Sequence, residues 1–300
     1  MNYRITHQSH YEYAETVSLS HNQARLNPRS FFNQTCLNSH ITINPQPAFF
    51  RERKDFFGNR TAYFSIEQSH NILSVTAESD VHIVSQTQLT SDMPWETVCH
   101  ILKTTTDPDL LSVRQFVLDS PKATTVPELI KYAEPSFSKD RPFIEAVSDL
   151  TQRIYSDFEY VPGFTTISTP LSDVFKHRKG VCQDFAHLAI GCLRAMGLAA
   201  RYISGYLETL PSPDTEHLIG ADASHAWFSV YLPNHGWIDF DPTNNLIPGD
   251  DRHITLAWGR DFADVTPLKG VVLGGGQHAL TVSVTVEPIE GKFTLLQPPS

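Results

Sequence analysis

Cysteine is scarce in this 300-residue chain, and its four copies (Cys36, Cys99, Cys182 and Cys192) fall at irregular intervals that make no disulfide framework. Also missing is any apolar run near the roughly 18 residues of a membrane span, and the opening M-N-Y-R-I-T-H-Q-S-H has no charged-then-apolar leader. A cytoplasmic, reducing setting is the expectation, and it is the setting a nucleophilic thiol requires. Basic residues are outnumbered, 23 Lys and Arg against 33 Asp and Glu, and no cluster of them exceeds a few residues. With a formal charge of -10, neither nucleic acid nor an anionic membrane is an expected partner. The 14 histidines invite a metal, but H-E-x-x-H, C-x-x-C and the EF-hand loop are all absent, so no metal and no cofactor is expected.

What is present begins with strands. Apolar alternation at Tyr3, Ile5 and His7, at Ile41, Ile43 and Pro45, at Ala62, Phe64 and Ile66, and at Leu73, Val75 and Ala77 predicts an antiparallel β-sandwich-like domain over residues 1–90. Gly58-Asn59 supplies a hairpin turn within it. Residues 91–125 read as a connecting region with at most short helices, and residues 126–300 as the second unit. There Pro127 opens one helix and Pro142 a second, in which Phe143, Val147, Leu150 and Ile154 make an apolar stripe. A third short helix is expected from Pro170, capped by Thr169, to about His177. Near the end, Leu280, Val282, Val284 and Val286 alternate as a strand.

The stretch 178–196 organises the second unit. Phe185, Leu188, Ala189, Cys192, Ala195 and Met196 recur at helical spacing, and Gly197 is placed to end the helix. Cys182 then lies in the first turn, where unpaired N–H groups and the helix dipole favour an anion such as a thiolate. Gly180 is expected to supply the tight turn into the helix. Taken alone, a cysteine is more often a small buried apolar residue. Downstream residues change that balance. The segment 224–232 alternates as a strand with His225 at its start, and after the turn 233–236 a second strand, 237–241, ends at Asp241 before Pro242. Cysteine, histidine and carboxylate in this order supply a nucleophile, its base and the acid that orients the base.

Parity limits how the hairpin pairs. With Leu232 opposite Trp237, His225 and Asp241 would point to opposite faces; with Tyr231 opposite Trp237, Asp241 comes opposite Trp227, diagonal to His225 and on its face. The second register, with a five-residue connection or a compensating bulge, is the expectation. Asp239 shares the parity and is the fallback acid, while Asp184, in the helix's first turn, is read as a cap.

These segments resemble the bacterial transglutaminase-like superfamily, whose members often carry the name of cysteine proteases. The resemblance rests on G-V-C-Q-D-F-A-H at 180–187, S-H-A-W at 224–227 and G-W-I-D-F-D-P-T at 236–243. It extends to Y-V-P-G-F-T-T-I-S-T-P at 160–170 and G-R-D-F-A-D-V at 259–265, and to Y-R-I-T-H, Y-E-Y and D-F-F-G-N in the first 60 residues, which are similar to the family's N-terminal region. It implies an α+β fold: an N-terminal β-domain, then a papain-like core of helices packed on an antiparallel sheet. By position it puts a catalytic triad on Cys182, His225 and Asp241, acting through an acyl-enzyme on a peptide or protein amide. Ser229 departs from the glutamate that many members carry. Hydrolysis is the expected outcome, with γ-glutamyl transfer to amines, or a non-catalytic peptide-binding role, as the alternatives. The hydrolytic expectation leans on the long polar loop 208–221 as a cleft open to water.

Overall fold

A computed structural model of the protein describes residues 1–86, 89–209, 224–249 and 252–289. Most of the 208–221 loop, on which the open-cleft expectation rests, lies outside the described residues. The first 83 residues give β1 (Asn2–Ala24), β2 (Gln34–Asn44), β3 (Phe49–Lys54), β4 (Arg60–Ile66) and β5 (His70–Ile83). Next come α1 (Trp95–Thr104), α2 (Pro108–Arg114), α3 (Pro127–Ala133) and α4 (Phe143–Asp157). The two-residue strand β6 (Glu159–Tyr160), α5 (Leu171–His177), the parallel partner β7 (Lys179–Gly180) and α6 (Cys182–Ala195) follow. The chain then runs through β8 (Ala200–Leu207), β9 (His225–Leu232), β10 (Gly236–Phe240) and β11 (His253–Gly259). It closes with α7 (Phe262–Val265), β12 (Leu268–Gly274) and β13 (His278–Pro288).

β1 is too long for one flat pairing, and its register shifts between Glu12 and Val17. Before the shift it pairs with β5 on one side and β13 on the other; beyond it, with β4 and β12. Leu73, Val75 and Ala77 of β5 thereby meet Ala62, Phe64 and Ile66 of β4 in a small core of their own. Here the structure corrects the sequence-based partition. Residues 268–288, counted with the second unit, complete the first sheet. Strand periodicity identifies a buried face but carries no record of which strand lies alongside.

The expected helices are there, with small shifts in their ends. α4 begins one residue after Pro142, and its stripe of Phe143, Val147, Leu150 and Ile154 is fully buried. α5 starts after Pro170, while Thr169 turns its hydroxyl to the Thr166 N–H instead of capping. The segment 91–125 carries α1 and α2, so it is more helical than a connector. α6 differs more. Its apolar face is buried, but so are Asp184, His187 and Arg194, because the helix is enclosed by α3, α4, α5 and the second sheet. Arg194 offsets its burial by donating to the carbonyls of Phe116, Ala123, Ala200 and Arg260 and to the Ser120 hydroxyl.

That second sheet has the order β10-β9-β8-β11, all antiparallel. Ala200, Tyr202, Tyr206, Ala226, Phe228 and Val230 face the α6 side and join one core with Tyr3, Ile5, Val81 and Ile83 of the first sheet. β11 is an edge strand, yet its edge is covered. The Gln34 amide bonds both the N–H and the C=O of Thr255, and the Asn59 amide does the same for Trp258. Two side chains from the N-terminal region thus do for β11 what a neighbouring strand would do.

Candidate active site

Cys182 is the first residue of α6 and 9% exposed. The helix start is fixed by Asp184, whose Oδ2 accepts the Val181 N–H at 2.9 Å and the Thr165 hydroxyl at 2.5 Å. Burial raises the Asp184 pKa, and those two donors oppose the rise. This is the capping role expected of Asp184. Gly180 acts differently from expectation. Its backbone is not in the left-handed region; what it provides is room, since a Cβ there would lie 2.9 Å from the Asp184 side chain.

β9 and β10 pair with Tyr231 opposite Trp237 and Asp239 opposite Ser229, the register the parity argument requires, but Leu232 also pairs with Gly236, so the connection is shorter than expected and carries no bulge. Asp241 follows directly after β10, next in line opposite Trp227. His225 Nε2 donates to Asp241 Oδ2 at 2.8 Å, with both side chains fully buried. At Nδ1 the ring makes no closed hydrogen bond; the hydrogen-bonding and Coulombic influence of Cys182 reaches the imidazole. Burial by itself would lower the His225 pKa. The charge and hydrogen bond of Asp241, helped by Cys182, outweigh it and raise the value to about 10.

Asp239, the fallback acid, is occupied elsewhere. It accepts the Trp227 indole N–H at 3.0 Å and the Ser229 hydroxyl. Ser229, the position that departs from the family pattern, is therefore an anchor for Asp239. Opposite His225 on β8 is Gly205, where a Cβ would fall 2.2 Å from the Ile254 carbonyl oxygen and 2.4 Å from the Trp227 ring. Only glycine lets the indole pass across the strand there.

Sequence reasoning missed His253. Its Nε2 lies 3.0 Å from the same Asp241 oxygen that holds His225. Asp241 also accepts from the Thr243 and Asn244 N–H groups and from the Asn244 amide at 2.8 Å. Burial would push the Asp241 pKa up, yet the two histidines hold it far below the ordinary carboxylate range. The Asp241-Pro242-Thr243 turn was readable as an Asx turn. His253, like His225, opens a strand, and that was the one signal for it. His225, Asp241 and His253 lie within 4.8 Å of one another, a spacing their mutual hydrogen bonds account for.

The geometry can be set beside known proteins. Over 299 residues the chain is 40% identical to an uncharacterized protein of Mycobacterium tuberculosis, covering 96% of this chain and 93% of the relative. An uncharacterized protein of Mycobacterium leprae is 31% identical over 288 residues, with 94% and 97% covered. A crystal structure from Cytophaga hutchinsonii, described as a "putative cysteine protease", superposes with a TM-score of 0.74 at 25% identity, covering 98% of this chain and 92% of that one. Residues 3–82 match the bacterial transglutaminase-like N-terminal region, and residues 130–242, which contain Cys182, His225 and Asp241, match the transglutaminase-like superfamily. With both family regions matched and relatives similar over nearly the whole chain, the chain belongs to the transglutaminase-like superfamily.

Proposed function

We propose that the protein is a thiol-dependent hydrolase of peptide or protein amides, with Cys182, His225 and Asp241 as its catalytic triad. The observation that carries this reading is the imidazole of His225, bound through Nε2 to Asp241 at 2.8 Å and near enough to Cys182 for the sulfur to help raise its pKa. Asp241 holds Nε2–H, and with its pKa raised to about 10 the ring carries the Cys182 proton on Nδ1, so the sulfur attacks the amide carbonyl as a thiolate. The tetrahedral intermediate collapses when His225 returns that proton to the leaving nitrogen, giving a thioester. Water, deprotonated by the same ring, then frees the acid and restores the thiolate beside the protonated ring. The backbone N–H of Cys182, in the helix's first turn where no intrahelical carbonyl takes it, is assigned to the oxyanion. A reducing cytoplasmic setting suits this chemistry.

A second reading puts an amine in place of water. It is favoured by 30% identity over 110 residues, 34% of this chain and 16% of the relative, to a Pseudomonas aeruginosa protein named protein-glutamine gamma-glutamyltransferase. A glutamine-containing peptide and a primary amine probe separate the two. Ammonia released in excess of amine incorporated is the hydrolytic result; equal amounts at millimolar amine would make transfer the reaction. Cys182→Ala abolishes both. Turnover surviving in that variant would overturn the triad.

A further inference from the structure

Arg201 of β8 is 7% exposed and lies between two indoles, its guanidinium carbon 4.3 Å from the Trp237 ring centre and 3.9 Å from that of Trp258. Its Nε is buried without a hydrogen-bond partner, and among the described residues none of its nitrogens closes a hydrogen bond or ion pair with the protein. A guanidinium has five N–H donors, and leaving them dry inside a protein is costly. Asp239, the acid facing it, is committed to Trp227 and Ser229. Arg29 stacks on the far side of Trp258, adding a second positive charge.

The group is not enclosed by packing, because it lines a cavity of about 180 Å³ between β10 and the segment 31–34. Ile83, Ile247 and Trp237 give that cavity apolar walls, and Asn33, whose buried amide oxygen has no partner, adds an amide able to turn either end to a ligand. We propose that this cavity is a binding site for a small carboxylate, paired with Arg201 between the two indoles. A planar carboxylate matches the guanidinium fork in the plane the rings impose, and the apolar walls take a tail of a few carbons. A phosphate is disfavoured, because its second charge would meet Asp239. His253 lines the same cavity, so the ligand would sit one residue away from Asp241. The inference does not depend on the reaction proposed above.

Trp237 and Trp258 make the test direct. Full-length protein is titrated with sodium propionate and, at matched ionic strength, with sodium chloride or propionamide, while indole emission is followed. Propionate is expected to give a saturable change with a Kd of about 1 mM, the scale of a single ion pair with modest burial; the controls give none. Arg201→Met should weaken binding at least tenfold. Should that variant fail to fold by circular dichroism, Ile247→Phe, which fills the cavity and leaves Arg201 in place, must produce the same loss. A linear response shared with chloride, equal binding of propionamide, or wild-type affinity in the folded variant would each overturn the site.

Discussion

Asp241 shows how much one carboxylate can organise. Five donors converge on it, and two of them are imidazoles from different strands. Removing the His253 donor leaves a buried anion short of one charge-directed hydrogen bond, a loss of about 1.5–3 kcal/mol. His253→Ala is therefore expected to lower kcat/KM by roughly tenfold to a hundredfold, if that loss falls on the transition state. His253 touches the site through Asp241, so the conservative His253→Gln should recover part of the loss. Steady-state kinetics with a peptide amide checks both. Asp239 and Asp241 should separate in the same assay. Asp241→Asn removes the carboxylate that holds the protonated ring and is expected to abolish turnover, whereas Asp239→Asn weakens the hold on Trp227 and Ser229 and acts mainly on stability. Equal losses of activity in the two would mean that the orienting acid has been misassigned.

At the scale of elements, Gly205 is the most tightly enclosed of the described glycines in the second sheet. Gly205→Ala drives a methyl into the Ile254 carbonyl and the Trp227 ring, and a rigid backbone oxygen at 2.2 Å cannot move aside. A stability loss of about 3 kcal/mol or more is expected, read from the urea midpoint at unchanged slope. Elements whose signal is local were legible in the sequence. The stripe of α4, the Gly58 turn at a φ of 75° and the β9–β10 register all follow from spacing and parity. Less legible was whatever depends on distant partners. The alternation of β11 is short, and its covered edge comes from Gln34 and Asn59, about 200 residues earlier in the chain. His253 is unremarkable in sequence and gains meaning only when β11 closes on β8. α6 reads as amphipathic because Asp184, His187 and Arg194 are polar, although each is buried on its own partners.

Across the whole molecule, buried histidines set the pH range of stability. His7, held between the Tyr206 hydroxyl and Ser9 where the two sheets meet, has its pKa pushed down to about 4 by burial. Burial likewise takes His187 to about 3, assisted by Lys122 and Arg194 and opposed by Asp261. Both values lie below the unfolded 6.5, so the unfolded chain binds more protons in acid. Their contribution is complete above about pH 6.5 and is lost as pH falls through 4 and 3. His225 runs the other way. Raised to about 10, it contributes fully below 6.5 and loses that contribution as pH climbs through 10. Stability should therefore peak near about pH 6.5 and fall on both sides, with His7→Gln flattening the acid limb. Urea midpoints at acid, neutral and alkaline pH measure this; a flat acid limb in the wild type would contradict it. β1 carries a consequence of another kind. Its partner β13, which pairs Pro288 with Tyr3, is made more than 250 residues later. At about 5–20 residues per second, that edge of β1 waits for roughly 15 to 60 s of translation before its neighbour exists. Through that interval the nascent chain carries an open strand edge, so β1 needs protection until β13 has been made.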